Sequence, residues 1–104
     1  MIDIVYDREG HRLTLKGHAN RDEHGRDIVC SAATMLTMTL ARAVEELDGK
    51  GYLDSYTVRL ETGDAEIVCA GEKTYLYKLM FDMIALGFGM LAEEYPENIS
   101  FVRA

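Results

Sequence analysis

Among the residues of this sequence, His18 and Cys30 have the types and spacing that suit covalent catalysis. They stand 12 residues apart, near the two ends of the polar stretch Gly17–Asp27. Thiolate is the nucleophilic form of cysteine. An imidazole beside it takes the thiol proton and later acts as acid toward a leaving group. A helix N-terminus, with unpaired N–H donors and a partial positive charge, favours a thiolate or an oxyanion placed there. Spacing alone leaves two plainer readings open. Cys30 can be a small buried hydrophobe on the inner face of a helix, and His18 a surface loop residue.

The elements that must position this pair are legible from periodicity. Ile2–Tyr6 and Arg12–Lys16 alternate like strands and are separated by a polar turn, which predicts a hairpin. The stretch GHANRDEHGRD then carries no apolar period and reads as a long loop, of the length that small domains reserve for function. Val29, Ala32, Ala33, Leu36, Leu40, Ala43, Val44 and Leu47 recur at helical spacing and predict a helix over Ile28–Leu47, with Asp27 suited to its N-cap. Tyr56–Glu61 and Glu66–Ala70 alternate around Thr62-Gly63-Asp64 and predict a second hairpin. A second helix spans Glu72–Glu94, and after Pro96 a last strand spans Ile99–Val102.

The expected fold is α+β, one small domain over residues 1–104 in the order ββαββαβ, with a mixed sheet packed with two long helices. The second helix has two apolar stripes, one of Leu76, Met80, Ile84 and Leu91, the other of Tyr75, Leu79, Met83 and Met90. Either it lies deep in one core, or one stripe faces a second subunit.

Composition narrows the function. The chain has 104 residues, 11 basic against 18 acidic, and a net charge of −7, which argues against nucleic-acid or anionic-membrane partners. No apolar run approaches the ~20 residues of a membrane span, and the most apolar region, Leu79–Leu91, contains Asp82. The first residues have no basic patch before their apolar positions, and two cysteines without a CxxC pair form no disulfide scaffold, so a reducing, cytoplasmic setting is expected. His24 between His18 and Cys30 matches no established zinc spacing, so neither metal nor cofactor is expected. Cys69 falls in strand alternation with Ala65 and Ile67 and reads as core, while His11 opens a strand and reads as exposed.

The local strings carry more than the spacing does. Gly17-His18-Ala19, followed by Gly25-Arg26-Asp27-Ile28-Val29-Cys30-Ser31-Ala32-Ala33, resembles the ribosomal-processing cysteine protease family (Prp, YsxB-like). The resemblance extends in outline over the whole chain and is concentrated between Gly17 and Leu36. It implies a cytoplasmic cysteine endopeptidase that removes the N-terminal extension of large-subunit ribosomal protein number twenty-seven during ribosome assembly. It implies Cys30 as nucleophile and His18 as general base and acid. Gly17 and Asp27 match family positions, and Gly17 and Gly25 would let the loop move. Family members are typically homodimers, which agrees with the doubly apolar helix. One turn beyond the cysteine the family often carries serine, where this chain has Thr34, which keeps the hydroxyl and adds a methyl.

Asp27 has two roles open to it, capping the helix or holding the His18 ring as a third member of the site. A second function class also fits: a non-catalytic dimeric module that binds a ribosomal protein or assembly factor. For a protease acting on a cationic ribosomal protein, the acidic balance suits substrate capture without RNA binding.

Overall fold

The computed structural model describes residues 1–18 and 26–104. Among these, the order is β1 (Ile2–Asp7), β2 (Arg12–Gly17), α1 (Arg26–Gly49), β3 (Ser55–Glu61), β4 (Asp64–Ala70), α2 (Thr74–Glu94) and β5 (Ile99–Arg103). The ββαββαβ order and the mixed sheet are as expected from the sequence. The strands lie in the order β3-β4-β2-β1-β5. β1 runs parallel to β5, and the other neighbours are antiparallel.

Alternation makes the sheet two-faced. Ile2, Ile4, Tyr6, Leu13, Ala65, Ile67, Cys69 and Ile99 are buried on one face, under the helices. The other face is polar and carries the cross-strand ion pairs Arg12–Glu66, Lys16–Asp64 and Arg59–Asp64. These pairs are substantially exposed and set register more than they add stability.

Helix α1 begins at Arg26, two residues before the expected start, so Asp27 lies inside the first turn instead of capping it. A carboxylate there still complements the positive end of the helix. Val29, Ala33, Leu40, Ala41 and Val44 form the buried stripe. Helix α2 buries Tyr77, Phe81, Ile84, Ala85 and Phe88. The stripe of Leu76, Met80, Ile84 and Leu91 flanks the core: Ile84 is buried, and Leu76, Met80 and Leu91 are half-buried. The aromatic residues lie next to that stripe and reach further into the sheet. Phe81 stacks on Tyr6 with centroids 6.1 Å apart. Full burial of each such side chain contributes about 1.5–3 kcal/mol. The other stripe lies outside the core, with Tyr75, Leu79, Met83, Leu86 and Met90 all exposed.

By length and composition alone, α1 and α2 both reach the range of a membrane span, with mean hydropathy 1.3 in each, contrary to the expectation of no such run. Each nevertheless buries a stripe against the sheet, and core helices share this character. Asp82, the acidic residue within α2, is accounted for by packing. It accepts a hydrogen bond from the Tyr6 hydroxyl at 2.6 Å and pairs with Arg8 at 3.1 Å, tying the β1–β2 turn to α2. Arg8 holds its carboxyl below the usual range.

His11 departs from its expected exposure. It takes a left-handed backbone at φ 50°, and its ring meets the Tyr77 ring edge-on with centroids 4.7 Å apart. Burial, aided by nearby Lys78, pushes its imidazole pKa down. The unfolded chain therefore takes up the proton first. The stability from neutral His11 is complete above the ordinary imidazole pKa of about 6.5 and is lost as pH falls below it. His11→Asn tolerates the same backbone. In urea unfolding, it should flatten the dependence of stability on pH between about 5 and 7. An unchanged slope would assign that dependence to other groups.

Candidate active site

Register explains how His18 is placed. Lys16 of β2 pairs with Asp64 of β4, so the next residues, Gly17 and Gly63, also meet. The Gly17 N–H donates to the Gly63 carbonyl at 2.9 Å. Ile2 of β1 pairs with Gly17, so Met1 faces His18, and the Met1 ammonium donates to the His18 carbonyl at 2.6 Å. His18 thus stands where the ends of β1 and β2 meet the β3–β4 turn. Gly17 has φ +94°, and a Cβ there would run into the Met1 carbonyl oxygen. Glycine at this position is required by backbone shape and close approach.

Cys30 comes from the other side, on α1. It is exposed, which removes the reading of Cys30 as a buried hydrophobe. That role belongs to Val29 and Ala33, which face the core. Because α1 starts at Arg26, Cys30 is its fifth residue, and its amide falls within the i→i−4 pattern of the helix. The free N–H donors of the first turn belong to residues before it, not to Cys30 itself.

Cys30 and His18 line the same open cleft, of about 430 Å³. Thr34, Thr37 and Met38 follow Cys30 along the cleft at helical spacing. Thr37 is nearly buried and donates its hydroxyl to the Ala33 carbonyl at 2.7 Å, which leaves its methyl as the group to face a neighbour. The sheet contributes Ile2, Leu15 and Ala65, and the β3–β4 hairpin contributes Leu60, Glu61, Thr62 and Gly63. Among the described residues the lining is largely apolar, with one carboxylate, Glu61, 3.4 Å from Arg59. Such a trough suits an extended peptide with apolar side chains more than a small charged metabolite.

The other candidates separate clearly. Thr34 and Gly17 line the cleft with the pair. Asp27 is 90% exposed and pairs with Arg26 at 3.0 Å, so in this structure its carboxylate is engaged by the neighbouring guanidinium and not by the imidazole of His18. Gly25 and His24 lie outside the described residues. Among the described residues, no cluster of His, Cys, Asp and Glu could hold a metal ion. Cys69 is buried as expected, and burial pushes its thiol up to about 11. The sequence reading missed the hairpin tip and the pair Thr37 and Met38. The latter were discoverable as the i+7 and i+8 neighbours of Cys30; the hairpin tip has no local signal.

The family model described as cysteine protease Prp matches residues 1–100. Among solved structures, the chain is similar to the essential ribosomal processing protease Prp from S. aureus in complex with a substrate peptide. The TM-score is 0.73 and the identity 23%, covering 99% of this chain and 97% of that one. It is likewise similar to the same S. aureus protease in complex with a covalently linked product peptide, with TM-score 0.72, 24% identity, and coverage of 99% and 97%. A third similar structure is SMU.848 from Streptococcus mutans, with TM-score 0.68, 26% identity, and coverage of 98% and 90%. The two S. aureus likenesses speak to the fold. No curated protein sequence matches the chain.

The two thiols should differ sharply in reactivity. In the folded protein near neutral pH, iodoacetamide should label Cys30, whereas Cys69 should label only after unfolding. Peptide mapping by mass spectrometry checks this. Equal labelling of both cysteines in the native state would contradict the burial described above.

Proposed function

The chain belongs to the Prp cysteine protease family, and from that premise we propose that it is an endopeptidase in which Cys30 and His18 act together. The reading is carried by one observation: the thiol on α1 and the imidazole at the end of β2 line one open cleft. In the proposed reaction, His18 takes the Cys30 proton and the thiolate attacks the scissile carbonyl. The C–S bond forms, the amide C–N bond breaks, and the imidazolium protonates the departing amine. Water then attacks the thioester with His18 again as base, which releases the acid and restores the thiol. The positive end of α1 favours the negative charge that builds near its first turn.

The proposed substrate is the N-terminal extension of large-subunit ribosomal protein number twenty-seven. The net charge of −7 suits a cationic partner, and the free state of both cysteines suits a cytoplasmic setting. Thr34, at the position of the family serine, lines the cleft and keeps the hydroxyl while adding a methyl. With a peptide spanning the extension, Cys30→Ala should abolish cleavage and His18→Ala should lower kcat by about 10²- to 10⁴-fold. Cleavage by Cys30→Ala, or cleavage by His18→Ala at the parent's rate, would overturn the mechanism. A chain that binds the peptide without cutting it would be a binding module instead.

We also propose a homodimer. The outer stripe of α2, from Tyr75 through Leu79 and Met83 to Met90, is apolar and exposed. Met83→Glu should shift the sedimentation coefficient to that of a monomer while the circular dichroism spectrum is retained. A variant that sediments as the parent does would place the interface elsewhere.

A further inference from the structure

Two features of the β3–β4 turn coincide at Gly63. Its backbone is left-handed, at φ +72°. Its missing side chain is also filled by another residue: a Cβ built on Gly63 would lie 2.5 Å from His18 Cε1, closer still to Nε2, and 3.2 Å from Cδ2. The imidazole therefore rests its edge in the space that any other residue at 63 would occupy. The same glycine accepts the Gly17 N–H through its carbonyl at 2.9 Å, so it contacts both the ring and the backbone leading into it. A ring on a single side chain is the easiest neighbour to displace. Beyond the strain of the left-handed backbone, a Cβ at position 63 would be relieved by swinging His18 away, at large cost to the pose of a proton-transfer group.

We infer that Gly63 is a positioning residue for His18: by having no Cβ, it holds the imidazole edge in its place in the cleft. The inference rests on His18 acting as the base proposed above. Gly63 itself contributes no group to the chemistry in this account. Its effect is steric and acts through one neighbour, so it predicts a change in the chemical step more than in binding.

The experiment compares Gly63→Ala with Gly63→Asn. Asparagine accepts a left-handed backbone far better than alanine, yet carries the same Cβ. Backbone strain and displacement of the ring are thereby separated. Cleavage of the extension peptide and the ring-proton NMR shifts of His18, assigned with His18→Gln, are read side by side. Both variants should lower kcat by about 10- to 100-fold with KM within about twofold. In both, the His18 ring shifts should move, and the cross-peaks from the ring to the position-63 Hα expected of the parent should be lost. Wild-type kcat in Gly63→Asn would overturn the inference, because only strain would then have mattered. Unmoved ring shifts in both variants would overturn it as well. If the parent protein fails to cut the peptide, the functional reading fails, and the NMR arm alone decides whether Gly63 places the ring.

Discussion

Each strand alternates apolar and polar residues, so two helices suffice to cover the one dry face of the sheet. The rest of the structure follows from that one-sidedness. Tyr6, Ile4, Ile67 and Ile99 must meet α1 and α2, and the aromatic residues Tyr77, Phe81 and Phe88 reach them from α2. The polar face needs no cover, and its ion pairs hold the strands in register. A slip of one residue would turn the buried set outward and the charges inward.

Register in turn builds the site. Because Lys16 lies opposite Asp64 and Ile2 opposite Gly17, the ends of β1 and β2 converge on the β3–β4 turn. His18 leaves the sheet at that junction. Helix α1 lies across the same end of the sheet with its N-terminal turns over the cleft, because Val29 and Ala33 need to be buried. Burying those two residues presents Cys30, Thr34 and Met38 to the cleft. The imidazole and the thiol therefore stand on elements fixed by the core, which is what a pair that transfers a proton requires.

Local periodicity was enough to read most of the architecture. Ile2–Tyr6, Glu66–Ala70 and the α1 stripe each show their burial in their own spacing, as does Cys69. Element ends were less legible, since a first helical turn such as that of Asp27 satisfies capping and dipole preferences in either register. His11 looked like an exposed strand start because nothing nearby in sequence announces Tyr77. For the same reason, Asp82 stood out in an apolar helix without its partners Tyr6 and Arg8 being visible. The hairpin tip was readable as a turn but not as a neighbour of His18, since that contact depends on how β2 pairs with β4. His18 and Cys30 were singled out from residue chemistry and local strings. Their shared cleft is a property of the tertiary fold.

The proposed chemistry requires Cys30 as a nucleophile presented, with His18, to a peptide held in this cleft. The most direct test is a peptide built on the extension sequence in which a chloromethyl group on the retained carbonyl replaces the scissile amide nitrogen, so that the thiolate forms an S–CH2 bond and chloride leaves. Intact and peptide-level mass spectrometry then locate the adduct. One adduct per chain is expected, on Cys30, formed far more slowly in His18→Ala and blocked by excess uncut peptide. An adduct on Cys69, or labelling of Cys30 that neither His18 nor the competing peptide affects, would contradict it.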